Sequence, residues 1–158
     1  MANNSWPYMQ QTGELLHAMW TAVGFKVNYT IVDSAIIQQR RRAGEFHADS
    51  EAGAYKFDPD GWYAREIHSQ GATTKFVTRF RNEKADKLIE EARRTREPDK
   101  RLELYTAVDS IVNEELPVLF THHLTLLEAG VMNLKNYQPP ISGSPHTQGA
   151  GLRVAWMA

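Results

Sequence analysis

Charged and aromatic side chains that could hold a ligand are concentrated between residues 53 and 62. This stretch follows a run of small residues, which lets a ligand approach the backbone closely or lets a helix pack tightly against it. In open α/β folds ligands bind beyond the carboxyl ends of strands, and the stretch takes that place if the small-residue run is a strand. The candidate ligand-binding residues in it are Gly53, Ala54, Tyr55, Lys56, Phe57, Asp58 and Trp62.

Two arginines further along the chain, Arg79 and Arg81, flank a polar segment that precedes a strong helix pattern. A guanidinium can bind a carboxylate or phosphate with two parallel hydrogen bonds, so Arg79 is also a candidate ligand-binding residue. The alternative for both arginines is a solvated loop. Trp62 and Tyr63 could stack on a ligand, or they could pack in the core of a short helix.

The sequence contains no pattern that is typical of catalysis or of metal binding. It has no Gly-x-Ser-x-Gly, no phosphate-binding loop and no Gly-x-Gly-x-x-Gly. Adjacent carboxylates such as Glu90 and Glu91 lie side by side on a predicted helix and do not converge on a cleft. The six histidines lack metal-binding spacing, and cysteine is absent. We therefore predict no enzyme activity, no metal and no cofactor.

The elements that would position the site follow from hydrophobic periodicity and end signals. Helices are predicted after the N-caps Ser5, Asp33, Asp58 and Asn82 and from Glu97 onward, with Gly24, Gly44 and Pro117 as stops. Strands are predicted over 25–31, 46–55, 118–128 and 152–156, and loops over 71–81 and 138–151. The order strand, helix, strand after the first helix is that of a parallel βαβ unit, which indicates an α/β fold.

Net charge and composition limit the possible partners. The 158 residues carry a net charge of −1, which gives no general attraction to nucleic acid or to an anionic membrane. The run Arg40–Arg42 at the end of a predicted helix is interpreted as a solvated cluster that the helix dipole favours. Its alternative is a contact with a membrane transporter or with nucleic acid.

The most specific pattern begins at residue 82. It reads Asn82-x-x-x-Asp86-x-Leu88-Ile89-x-x-Ala92, then Arg101-x-x-x-Tyr105, then Ile111 and Pro117, and it follows Val23-Gly24-Phe25-Lys26-Val27 and Ala43-Gly44-Glu45-Phe46. In order and spacing this resembles the distal half of bacterial extracellular solute-binding proteins of family 5, which deliver peptides, nickel chelates and some sugars to ABC importers. The likeness covers nearly all of residues 5–137.

The resemblance implies one lobe of a two-lobed periplasmic-binding-protein fold, with three layers of helices around a small mixed sheet. Residues 1–137 would be most of the C-terminal lobe, and 138–158 would return to a missing first lobe. The implied function is the periplasmic substrate-binding component of an ABC importer, with a small peptide-like or anionic solute and membrane permease subunits as partners and no nucleic acid. The N-terminus has no signal-peptide pattern, so any such signal is expected outside this sequence. The alternative function is a stand-alone helical module that binds a protein or nucleic acid.

One departure from the resembled pattern concerns the solute. In peptide-binding members the candidate stretch resembles Gly-Trp-x-x-Asp-Tyr-x-x-Pro, and its acidic residue pairs with the peptide amino terminus. Aligned through Pro59, that acidic position falls on Lys56 and the tryptophan position on Gly53. Two unit charges 4 Å apart interact by about 4 kcal/mol at an effective dielectric of about 20, so a lysine would favour an acidic group over an ammonium. Either the solute is anionic here, or Lys56 points away and neutralises Asp58 or Asp60.

Overall fold

The described part of the chain is mostly helical. The computed structural model describes residues 2–3, 7–50, 58–122, 131–138 and 155–157. Its helices are α1 (Pro7–Ala22), α2 (Ser34–Ala43), α3 (Asp60–Trp62), α4 (Glu83–Arg94) and α5 (Pro98–Glu115), with a π-helical turn at Tyr63–Ile67 directly after α3. The strands β1 (Ala2–Asn3) and β2 (Ile31–Val32) pair in parallel, and β3 (Leu134–Lys135) and β4 (Trp156–Met157) pair antiparallel. No helix within these described ranges has the length and apolar character needed to span a bilayer.

The hydrophobic core lies where α4, α5 and the π-helical turn meet. Its fully buried members are Ile67, Ala85, Ile89 and Val108, and Ile111 and Val112 complete the cluster. Burying one such branched side chain stabilises the fold by about 1.5–3 kcal/mol. Four apolar or aromatic members of the sequence pattern that begins at residue 82 are buried here, namely Ile89, Ala92, Tyr105 and Ile111, and these helices support the neighbouring candidate site.

The predicted helix ends at Asp33, Gly44 and Asn82 are confirmed, whereas the predicted N-cap Asp58 is wrong by one residue, because Pro59 is the residue that caps α3. The side chain of Asp33 accepts hydrogen bonds from the backbone N–H groups of Ala35 and Ile36 at 2.9 and 3.0 Å. The side chain of Asn82 accepts one from the N–H of Ala85 at 3.0 Å. Gly44, which follows α2, has φ 73°. In this left-handed conformation its backbone N–H donates to carbonyl groups at the end of the helix, which would otherwise lack a partner. These ends are predictable because each cap acts within a few residues of itself.

Three predicted strands are wrong in the residues that the structure describes. The predicted strand 25–31 has a strand only at its last residue, which belongs to β2, and Phe25 is 66% exposed. Residues 46–50 and 118–122 contain no strand, while 51–55 and 123–128 lie outside the described residues. A strand forms only when a neighbour satisfies its backbone groups, and within the described residues β2 has such a neighbour for two residues. The three-layer arrangement around a mixed sheet stays a prediction.

The C-terminal residues match their prediction in part. Trp156 and Met157 form β4, so the predicted strand 152–156 is present at its end, while 152–154 lie outside the described residues. The predicted loop 138–151 lies outside them too, apart from residue 138.

Replacing Leu116 by glycine is expected to raise the free energy of unfolding by about 1 kcal/mol. Leu116 caps α5 with φ 48° and ψ 47°, and it is 61% exposed. For a residue with a side chain this left-handed conformation costs about 1–2 kcal/mol in the folded state. Glycine avoids that cost, but its greater conformational entropy in the unfolded state offsets part of the gain. Urea unfolding measures the change. Leu116→Ala keeps the backbone strain and serves as the control, and a glycine variant no more stable than the alanine variant contradicts the prediction.

Candidate ligand-binding site

Asp58, the first described residue of the candidate stretch, is bound to Arg101 on α5. The two guanidinium Nη groups of Arg101 donate to Oδ2 and Oδ1 of Asp58 at 3.0 and 2.7 Å, a bidentate pair. These hydrogen bonds, together with one from the backbone N–H of Asp60, hold the pKa of the Asp58 carboxyl below its usual value. Asp58 therefore has a partner within the protein and anchors the start of this segment to α5.

Arg101 also links α5 to α4, and its neighbours extend the contacts to α3. Its Nε donates to the carbonyl of Ala92 on α4 at 3.1 Å, and its Nη2 donates to the hydroxyl of Tyr105 at 3.2 Å. Asp60 on α3 lies 3.1 Å from Nε of Arg93 and accepts a long hydrogen bond from Tyr105 at 3.5 Å. We call this set the Arg101 network; its members are Asp58, Asp60, Arg93, Arg101 and Tyr105. Both carboxylates that Lys56 could neutralise thus have arginine partners of their own.

The aromatic residues beside the Arg101 network pack mainly on one another. The ring of Trp62 meets Tyr63 edge to face at 5.0 Å and lies 5.5 Å from Phe120, measured between ring centroids. Tyr63 stacks on Tyr105 at 4.6 Å and donates its hydroxyl to Asp109 at 2.6 Å. Burial, followed by this hydrogen bond, raises the pKa of Tyr63. Trp62 is half-buried against the core, which fits the packing interpretation, and its contact with a ligand stays a prediction.

Arg79 lies in a different cleft, which we call the basic cleft. The cleft has a volume of about 270 Å³, and its lining residues are Ser69, Thr74, Lys75, Arg79, Phe80 and Arg81. Three of these six side chains are cationic and none is acidic. No contact within the described residues joins Arg79 to Asp58 or Trp62, so the structure separates predicted site residues that the sequence had grouped. The sequence indicated the two arginines but gave no sign that Lys75 and Ser69 share their cleft.

The predicted solvated cluster Arg40–Arg42 is wrong for its central residue. The Arg41 side chain is 8% exposed and forms an ion pair with Asp49, whose side chain is 2% exposed. Arg40 donates to the hydroxyl of Thr30 at 3.4 Å, whereas Arg42 is exposed. Arg41 lies one helical turn after the buried Ile37, so it falls on the inward face of α2, whereas its neighbours do not.

Five of the predicted ligand-binding residues belong to a part of the chain that the structure does not describe. Gly53, Ala54, Tyr55, Lys56 and Phe57 lie outside the described residues. Of the adjacent histidines, His122 is exposed and His123 lies outside. Within the described ranges no group of three or more His, Asp and Glu side chains is arranged to hold a metal ion.

Comparison with known proteins gives distant relatives that are named as binding proteins. The chain is 27% identical over 127 residues to di/tripeptide-binding protein 3 of Pseudomonas aeruginosa (strain UCBPP-PA14), covering 77% of this chain and 23% of that protein. It is 26% identical over 122 residues to heme-binding protein A of Haemophilus influenzae, covering 74% and 22%. It is 24% identical over 152 residues to the dipeptide-binding protein of Escherichia coli (strain K12), covering 92% and 28%.

The chain thus spans about a quarter of the length of the curated relatives it matches. No family model matches it, and no solved structure does. The similarity supports the resemblance to solute-binding proteins that the sequence indicated, over part of each relative. Each of these relatives is named for binding and none for catalysis.

Proposed function

We propose that this chain is most of the C-terminal lobe of a periplasmic solute-binding protein that captures a peptide-like or anionic solute for an ABC importer. The observation that carries the proposal is the match over 77% of this chain to a relative named for binding di- and tripeptides. In this proposal residues 1–137 form the lobe, with helices layered on a small mixed sheet, and 138–158 return to a first lobe. The solute is enclosed when the two lobes close about a hinge, and permease subunits then receive it.

The Arg101 network has a specific part in this proposal. It fixes the described end of the candidate stretch, because Asp58 is held at two atoms by Arg101 and Asp60 by Arg93. Binding sites are more selective when their supports are rigid. In this proposal Lys56 contacts the solute, and an acidic solute group complements its positive charge.

The test is native mass spectrometry of the protein isolated under non-denaturing conditions from cells that make it. We expect a small solute that remains bound in the gas phase and is released on unfolding. A Lys56→Gln substitution in the same gene is expected to weaken the affinity for the solute at least about tenfold and so to lower its occupancy, since one hydrogen bond to a charged group contributes about 1.5–3 kcal/mol. Lys26→Gln, at an exposed lysine, removes the same charge and is expected to leave occupancy unchanged.

A stand-alone helical interaction module is the second candidate, and the helical core formed by α4 and α5 favours it. If the module binds nucleic acid, its affinity for polyanions is expected to fall steeply as the salt concentration rises. A protein that carries no solute, binds none of a panel of dipeptides, and associates with a polyanion in this manner would contradict the receptor proposal and support the module.

A further inference from the structure

The basic cleft holds cationic groups that lack a counter-charge. Among the described residues, carboxylates pair with Arg41, Arg65, Arg93, Arg94, Lys100 and Arg101. No such pair involves Lys75, Arg79 or Arg81 in this part of the chain. The carboxylate of Asp86 does not line the cleft, and it accepts hydrogen bonds from the backbone N–H and the hydroxyl of the lining residue Ser69. Three like charges around one small cleft repel one another, and a bound anion removes that repulsion.

The backbone at Arg79, a lining residue of the basic cleft, has an uncommon conformation. Arg79 has φ 54°, a left-handed conformation that is uncommon for a residue with a side chain. Two other described residues share it: Leu116 caps a helix, and Asn136 is of a type that tolerates it. Arg79 directly follows the turn at residues 72–78 and has a long charged side chain at this position. A strained residue retained where glycine would relax the chain is a reason to look for a function.

The surroundings hold Arg79 in this conformation. Its N–H donates to the carbonyl of Thr74 at 2.7 Å, and the fully buried Thr74 donates its hydroxyl to the carbonyl of Arg65 at 3.2 Å. The guanidinium lies against Gly44 at the end of α2, where an added Cβ would come within 3.0 Å of it. The turn and the end of α2 therefore set the position of this cation in advance, which lowers the cost of ordering it around a ligand.

We propose that the basic cleft binds a phosphate-type dianion, with Lys75, Arg79 and Arg81 as its cationic donors. Guanidinium groups donate hydrogen bonds in pairs and match the geometry of phosphate oxygens, and a lysine adds a compact point charge. Three positive charges favour a doubly charged group over a singly charged carboxylate. The proposal does not rest on the receptor function, because the cleft is formed by this chain's described residues alone.

The experiment is a titration of the 158-residue chain with inorganic phosphate. Binding is measured by isothermal titration calorimetry and by changes in amide NMR chemical shifts. We expect saturable binding with shifts concentrated in residues 69–81. Arg79→Asn removes the charge but tolerates the left-handed backbone, and it is expected to weaken binding about tenfold or more. Arg96→Gln, between α4 and α5, removes one charge far from the cleft and is expected to change affinity less than about twofold.

A second variant separates binding from folding. Arg79→Gly is expected to raise Tm by about 2–4 °C while it weakens phosphate binding, because it relieves strain and removes the donor. A titration with acetate is expected to show weaker binding than phosphate. Absence of saturable phosphate binding, equal weakening by Arg96→Gln, or acetate binding as strong as phosphate binding would each overturn the proposal.

Discussion

Replacing Ile89 by alanine is expected to lower the free energy of unfolding by about 3 kcal/mol. Ile89 lies on α4, is fully buried, and belongs to the cluster that joins α4, α5 and the π-helical turn. The loss combines the transfer free energy of the removed carbons with the cavity that they leave. Urea unfolding followed by circular dichroism measures it.

The control for this prediction is Leu102→Ala on α5. Leu102 is 67% exposed, so its truncation is expected to change stability by less than about 0.5 kcal/mol. Ile89→Val removes one methylene group and is expected to cost about 1 kcal/mol. Equal losses for Ile89→Ala and Leu102→Ala would mean that the stability of this protein does not reside in the α4–α5 core.

The helical part of the fold could be predicted because its determinants are local. Asp33 and Asn82 cap the helices that follow them through their own side chains. The apolar spacing of Ala85, Ile89 and Ala92 marks the buried face of α4 before any partner is known. Each of these features depends on residues within one or two turns of helix, so a single sequence contains what is needed to identify it.

The strands could not be predicted in the same way. The alternation around Phe25 describes side chains that face two environments, but a strand also needs a neighbouring backbone, which no local pattern supplies. In the described residues that neighbour is β1, and it extends for two residues. Phe25 and Ile31 belong to the alternating pattern, yet they are 66% and 41% exposed, so alternation alone did not lead to a buried strand.

The candidate site could be predicted only in part for a related reason. The sequence indicated Asp58 as a residue of interest, but its partner Arg101 lies 43 residues further along the chain. Arg79 and Arg81 are only two residues apart, so their proximity could be predicted from the sequence. The left-handed backbone conformation of Arg79 could not be predicted, because arginine has no preference for that conformation. Interactions between distant residues decided which side chains have partners and which face an open cleft.

Replacing Arg101 by alanine is expected to lower the free energy of unfolding by about 2 kcal/mol. Asp58 is 59% exposed, so water screens the ion pair itself, which contributes about 1 kcal/mol or less. The rest comes from the hydrogen bond to the carbonyl of Ala92 and from the guanidinium over the Tyr105 ring, 5.2 Å from its centroid. Arg101→Lys keeps the charge but not the fork of donors, so we expect it to lose more than half as much stability.

The pH dependence of the same pair provides an independent measurement. Because the Arg101 hydrogen bonds lower the folded-state pKa of Asp58, the stabilisation is fully present above the unfolded pKa of about 4. It is lost as the pH falls through the lower folded value, when the carboxyl becomes protonated in both states. The difference in stability between the wild-type protein and Asp58→Asn is therefore expected to shrink below about pH 4. A difference that stays constant from neutral to acidic pH, or an Arg101→Lys variant as stable as the wild type, would show that the two-point contact does not stabilise the attachment of Asp58 to α5.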